Sequence, residues 1–173
     1  MPLSGRWSNS VWLALRRPLT VACCLGCAVS LMATGALTLR LALPAAVYWS
    51  FVPLVELAGL AVAVRGQLRA EVIDDFFAAH GPWLLWVAAF TALWTFVPAP
   101  AVIGQTGFPR FWYVAGALIA IWTAWLDLAF FRRKGQRFPA AAMVVQRAVS
   151  WPLGMLIFVA PAGWQTIAAR FGL

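Results

Sequence analysis

Apolar residues in this chain form long, nearly unbroken runs, which short polar or basic segments separate. A helix needs about 20 residues to cross a hydrocarbon core of about 30 Å, and five runs have roughly that length. They cover residues 19–37, 45–64, 82–97, 111–131 and 149–167. Because a span in lipid must satisfy its own backbone hydrogen bonds, these runs predict α-helices. The pattern predicts an all-α fold, a polytopic membrane helical bundle with about five transmembrane helices.

A polar segment between the second and third runs has a pattern of its own. From residue 65 to residue 80, apolar side chains recur at helical spacing and charged side chains project elsewhere. The apolar positions are Leu68, Val72, Ile73, Phe76 and Phe77, and the charged ones are Arg69, Glu71, Asp74 and Asp75. This predicts one short interfacial amphipathic helix before the third span. Since no repeat or linker divides the chain, residues 1–173 are interpreted as a single integral membrane domain.

The composition supports this class. Hydrophobic residues make up 64% of the chain and charged residues 10%, with a mean hydropathy of +0.85. Soluble domains carry about a quarter charged residues, and a soluble fold of this size cannot bury so much apolar surface. The net charge of +8 suggests nucleic acid in a soluble protein, but here the basic residues lie at span ends. We expect membrane lipids as partners and no nucleic acid.

The distribution of basic residues predicts the topology. With the N-terminus in the cytoplasm, the cytoplasmic segments hold ten basic residues and the outer segments three, which is a positive-inside bias. The ten are Arg6, Arg16, Arg17, Arg65, Arg69, Arg132, Arg133, Lys134, Arg137 and Arg147, and the three are Arg40, Arg110 and Arg170. The C-terminus then lies outside. Abundant arginine and alanine are typical of GC-rich coding and favour a multi-pass protein of a bacterial inner (plasma) membrane.

One basic cluster lies in the loop between the fourth and fifth spans. It consists of Arg132, Arg133, Lys134 and Arg137. On the cytoplasmic side, such a cluster is suited to anionic lipid head groups.

Glu56 is the most informative single residue, because it lies near the middle of the second span. A carboxyl group at that depth costs about 3 kcal/mol on insertion, so we expect it to face protein. Gly59 and Ala63 share its helical face, where small residues let another helix approach. Pro53 removes a helical hydrogen bond and predicts a kink beside the acid. Glu56 either bonds a hydroxyl group of a neighbouring helix or serves a transport or proton-relay function.

Asp127 is the second acidic residue inside a span, ~6 Å from the cytoplasmic end of the fourth run. It is expected to pair with the nearby basic residues Arg132 and Arg133. A sharper hypothesis places Asp127 and Glu56 in one cavity open to the cytoplasm, because their depths differ by only ~6 Å.

Two further clusters carry metal-ligand or redox residue types. Cys23, Cys24 and Cys27 contain a C-x2-C spacing, but they lie in the first span and are expected to pack as small apolar groups against a neighbouring helix. Glu71, Asp74, Asp75 and His80 are the other group. Acidic residues ahead of a helix need no metal, so neither a metal site nor a cofactor is predicted.

No catalytic motif is visible in the sequence, which favours a non-enzymatic function. The leading hypothesis is a small membrane protein that acts by helix packing, as an accessory subunit of a larger membrane assembly or as a homo-oligomer. The alternative is a transporter or proton-coupled permease subunit that uses Glu56. A weaker alternative is a lipid-binding or lipid-pathway protein that uses the interfacial helix and the basic loop.

Overall fold

The protein is all-helical, with helices in 87% of the chain. The computed structural model describes the backbone of residues 4–96 and 107–171, and the side chains of residues 10–96 and 113–160. In these ranges the helices are α1 (Ser4–Thr34), α2 (Leu39–Trp49), α3 (Phe51–Ala63), α4 (Ala70–Ala78), α5 (Gly81–Phe96), α6 (Gly107–Arg133) and α7 (Pro139–Phe171). Residue 97, where the third predicted span ends, and the side chains of Arg6, Arg110 and Arg170 lie outside these ranges.

Four segments are long and apolar enough to cross a membrane. They are Ser10–Thr34, Leu39–Ala63, Tyr113–Arg133 and Pro139–Ala160. A fifth is added if α4 and α5, which meet at an angle of 47°, count as one bent span. The multi-pass class is therefore shown.

Segment Leu39–Ala63 is not one continuous helix, because α2 ends and α3 begins on either side of Ser50. Pro53, in the first turn of α3, has no amide hydrogen to donate to the carbonyl of Trp49. The amide of Ser50 instead donates to the Val47 carbonyl at 3.3 Å. The interruption thus lies three residues ahead of the proline.

Helix α7 begins ten residues before the predicted start of the fifth span. Pro139 occupies its first position, where a backbone amide has no helical hydrogen-bond partner, so the missing amide hydrogen of proline costs nothing. The helix continues through Pro152, because a membrane helix tolerates an interior proline when neighbouring groups accommodate it. Consequently Arg147, expected in a cytoplasmic segment, lies inside an apolar helix.

The buried core concentrates at one end of the bundle. Phe76 and Phe77 of α4 insert among α1, α3 and α6, and Phe76 meets the fully buried Phe130 ring with centroids 5.5 Å apart. The apolar face of α4 therefore contacts the bundle. This placement holds the end of α4 and the start of α5 in a fixed position.

The turn between α6 and α7 lies at the same end. Gly135 has φ of 71°, a left-handed conformation in which glycine carries no steric penalty. The turn holds Lys134 close to α4. We call this end, which contains Arg16, Arg17 and Lys134, the basic end.

Candidate functional site

Two consecutive residues of α7, Gln146 and Arg147, join this helix to two of its neighbours. Gln146 Nε2 donates to Glu56 Oε2 of α3, and Arg147 Nη2 donates to Asp127 Oδ2 of α6. Neighbouring residues of a helix point about 100° apart, so one turn of α7 reaches both of its neighbours. The two acidic residues inside the predicted spans therefore lie on either side of α7.

The partner of Glu56 is an amide and not a hydroxyl group. Gln146 is fully buried and also lies 3.4 Å from Ser150 Oγ on the next turn of α7. Gly59 permits this arrangement, since a β-carbon at that position would lie 2.5 Å from the Gln146 carbonyl oxygen. The predicted small-residue face of α3 packs against α7.

The partner of Asp127 is also different from the prediction, which named Arg132 and Arg133. Asp127 is fully buried and pairs with Arg147, whose side chain is 26% exposed. Arg132 and Arg133 are exposed. The expected pairing was wrong because it assumed that Asp127 faces the end of its own helix.

A cavity of about 910 Å³ lies beside these contacts, between α3, α5, α6 and α7. Its walls are mostly apolar and include Trp83, Trp86 and Trp151. Val144 and Trp151, which line it, are 60% and 64% exposed, so the cavity opens on the side of the bundle. Its walls are therefore continuous with the apolar outer surface of the helices.

Three ionisable side chains line this cavity: Glu56, His80 and Arg147. Asp127 does not line it and lies behind Arg147. The hypothesis that Glu56 and Asp127 line one cavity is therefore wrong for Asp127, which reaches the cavity only through its ion pair with Arg147.

His80 joins the cavity because α4 is fixed by its phenylalanines. Its ring is 5.0 Å from the Phe76 ring, centroid to centroid, and Nδ1 lies 3.3 Å from the Phe76 carbonyl oxygen. A carbonyl only accepts, so Nδ1 donates and Nε2 of the neutral imidazole is an acceptor. Nε2 is buried and has no hydrogen-bond partner among the described residues.

The acidic residues of α4 form ion pairs at the basic end. Asp74 accepts hydrogen bonds from Arg16 Nε and Arg17 Nε at 2.7 and 2.8 Å, which lowers the pKa of this carboxyl, chiefly through the Arg16 bond. Asp75 Oδ2 lies 2.6 Å from Lys134 Nζ. In the described part of the chain, no group of three or more metal-ligating side chains is close enough to hold a metal ion.

The predicted lipid-contact residues have different surroundings. Arg132, Arg133 and Arg137 are exposed, with Arg137 5.3 Å from the Phe138 ring centroid. Lys134 differs, because its ammonium group is held by Asp75. Contact with lipid head groups remains a prediction.

The cysteines do not pack into a helix interface as expected. Cys23 and Cys24 are exposed and Cys27 is partly exposed, all with free thiols. They line a second groove, of about 540 Å³, between α1 and α5. Thr91 also lines this groove; it is 4% exposed, and its hydroxyl has no partner among the described residues.

Sequence reasoning did not predict where His80, Gln146 and Arg147 lie. The sequence pattern groups His80 with the carboxylates of α4 and places Arg147 in a cytoplasmic segment. For Gln146 and Arg147 the signal is the mildly apolar stretch after Pro139, which moves the start of the last helix.

Comparison with protein-family models, curated proteins and solved structures found no match to this chain.

Proposed function

We propose that this protein binds an amphipathic small molecule within the membrane, in the cavity between α3, α5, α6 and α7. The composition of the cavity wall carries the proposal. Small-molecule sites are mostly apolar and aromatic, enclose about 300–1,000 Å³ and contain a few polar groups that orient the ligand. This cavity has three tryptophans and three ionisable side chains in about 910 Å³.

The lateral opening supports entry from the hydrocarbon region. A molecule with an apolar body concentrates in the bilayer and reaches the cavity between Val144 and Trp151 without crossing water. The polar group of the ligand then loses its contact with interfacial water and contacts Glu56, His80 or Arg147 instead. Transport of the ligand is a further step that this site permits, with Glu56 as the residue that changes charge.

A cavity-filling substitution tests the binding function. Ala120→Phe of α6 adds a ring inside the cavity, whereas Leu118→Phe adds the same ring to an outer surface where the side chain is 61% exposed. The measurement is energy transfer from tryptophan to a neutral dansyl-labelled alkyl amide, added to purified protein in detergent. We expect saturable transfer in the native protein and in Leu118→Phe, and at least about tenfold weaker binding in Ala120→Phe.

Equal affinity in the two variants would contradict the proposal. Energy transfer that never saturates in the native protein would also contradict it, because such a signal comes from partitioning of the dansyl-labelled amide into micelles. Circular dichroism and gel filtration of both variants separate loss of binding from loss of fold.

The groove between α1 and α5 supports a second proposal, that the protein acts by helix packing. Small residues such as Ala88 and Ala92 line this groove, and the buried Thr91 hydroxyl has no hydrogen-bond partner among the residues that the structure describes. A transmembrane helix with a polar side chain fits such a surface. It would come from a second copy or from a partner membrane protein.

Oxidative cross-linking tests this second proposal, because Cys23 and Cys24 are exposed in the groove. In a native membrane, a second copy gives a disulfide-linked dimer that is lost in Thr91→Leu. If the protein is a strict monomer and forms no disulfide-linked product in membranes, the helix-packing function at this groove is excluded.

We also propose the topology, with the basic end in the cytoplasm of an inner (plasma) membrane and the C-terminus outside. The ion pairs of Asp74 and Asp75 gather Arg16, Arg17 and Lys134 at that end. The positive-inside rule supports a cytoplasmic location for such a cluster.

A further inference from the structure

We propose that the ligand of the cavity is a lipophilic cation, such as an amine or a quaternary ammonium group on an apolar body. This inference rests on the proposed binding function of the cavity and specifies the charge of the ligand. It follows from the charges, the hydrogen-bond acceptors and the aromatic walls of the site.

The groups at the cavity carry an excess of formal negative charge. The guanidinium of Arg147 is already paired with the buried carboxylate of Asp127. Glu56 bonds only the neutral amide of Gln146 in the described part of the chain, so no positive side chain there compensates its formal charge. In a medium of low dielectric constant, an uncompensated negative group attracts a cation strongly.

The cavity wall also offers an unpartnered hydrogen-bond acceptor. His80 lines the cavity, and its Nε2 is buried and has no hydrogen-bond partner in the described residues. This atom is an acceptor in the tautomer that the Phe76 carbonyl favours. A ligand that donates a hydrogen bond, such as a protonated amine, complements it.

Among the described residues that line the cavity, Arg147 is the one side chain with a fixed positive charge, and it keeps N–H groups beyond the one given to Asp127. An anion at that position would lie beside the Asp127 carboxylate, which is fully buried. The repulsion between two negative charges in an apolar site offsets the attraction to the guanidinium.

Aromatic rings form part of the cavity wall, which Trp83, Trp86 and Trp151 all line. The face of an indole ring attracts a cation within about 6 Å, and the attraction is strongest where water is excluded. These rings accept the apolar body of the ligand as well as its charge.

The test compares two ions of almost the same size and shape and opposite charge, tetraphenylphosphonium and tetraphenylborate. Each competes with the neutral dansyl-labelled amide for purified protein in neutral detergent, with partitioning into protein-free micelles subtracted. We expect phosphonium to displace the amide at about a tenfold lower concentration than borate. In Glu56→Gln the two ions should compete at equal concentrations, each compared with that variant's own affinity for the neutral amide.

The control variant is Glu71→Gln, which removes the same charge outside the cavity and should keep the preference for phosphonium. Equal competition by the two ions, or stronger competition by borate, overturns the inference and leaves the binding function intact. Absence of saturable amide binding in the native protein instead rejects the proposed function itself, so the two failures are distinguishable.

Discussion

Gln146 and Arg147 are adjacent in sequence, yet each satisfies a different acid on a different helix. Together they explain how two carboxyl groups are tolerated inside an apolar bundle.

The contact between Glu56 and Gln146 predicts different effects for two substitutions. Glu56→Gln keeps an oxygen that accepts from Gln146 Nε2, so the free energy of unfolding in detergent should hardly change. Glu56→Leu leaves that amide unpaired and should cost about 0.6 to 2 kcal/mol, the range of interhelical polar contacts in membranes. Titration with a denaturing detergent measures both. An equal loss in the two variants would show that the negative charge itself stabilises the fold.

The ion pair of Asp127 and Arg147 predicts strong non-additivity. Arg147→Met leaves a buried carboxylate without its partner and should cost about 3 kcal/mol, whereas the double variant Asp127→Leu with Arg147→Met should recover most of that loss. A double-mutant cycle in unfolding experiments measures the coupling. Additive losses would mean that the two side chains do not depend on each other.

The sequence identified Glu56 and Asp127 as buried acids, because charged residues in apolar runs are conspicuous. It did not identify their partners. A glutamine or an arginine near a predicted boundary has no distinctive pattern, and only the packing of α7 between α3 and α6 brings it to an acid. Three-dimensional proximity across 90 residues is not encoded in any local spacing.

At the scale of helices, the close approach of α3 and α7 determines where the cavity lies. Gly59 is the point of contact, and Gly154 lies on the other side of the same interface. The apolar runs were sufficient to predict these helices. They were not sufficient to locate the break at Ser50 or the start of α7, because proline effects depend on neighbouring groups.

Replacement of Gly59 by alanine should separate α3 from α7. The new methyl group would lie 2.5 Å from the backbone oxygen of Gln146, which cannot move without its helix. We expect a loss of about 1–3 kcal/mol, as for overpacked cores. Gly154→Ala is the matched control, since its methyl group would meet the Val55 side chain at an ordinary 3.6 Å. Unfolding measurements that give the same loss for both would contradict the tight contact.

The link between α1 and α4 predicts a dependence of stability on pH. Hydrogen bonding, above all from Arg16, lowers the pKa of Asp74 in the folded protein below its ordinary 3.8. The contribution is therefore present above that pH and is lost as the pH falls through the folded pKa. Arg16 and Arg17 are 43% and 41% exposed, so solvent screening keeps the effect modest.

Melting temperatures between about pH 7 and pH 3 measure this effect. The native protein should lose more stability on acidification than Asp74→Asn does, because the variant has no carboxyl group to protonate. Asp75→Asn, at a side chain that is 54% exposed, is the control and should resemble the native protein. Parallel curves for the native protein and Asp74→Asn would show that the α1–α4 ion pairs add nothing.

At the scale of the whole molecule, the basic end orders the bundle. Helix α3 ends there, α4 and the start of α5 lie there, and α6 meets α7 there. Helices α5 and α6 therefore run in opposite directions. The sequence predicted this alternation from the spacing of its apolar runs.

Reporter fusions test the orientation. A fusion after Gly135 should report cytoplasm, whereas fusions within residues 97–106 and at Leu173 should report the outer side. A cytoplasmic report from Leu173 would mean that α7 does not cross, and then the opening of the cavity would not face lipid.

The most direct test of the central claim is the position of a bound ligand. We expect crystals of the protein grown with tetraphenylarsonium to give their strongest arsenic anomalous peak inside the cavity. It should lie beside Glu56 and within about 6 Å of a wall tryptophan. The peak should be absent in Ala120→Phe. Arsenic only on the outer surface, with the cavity filled by protein side chains or by a helix of a second copy, would contradict a ligand site between α3, α5, α6 and α7.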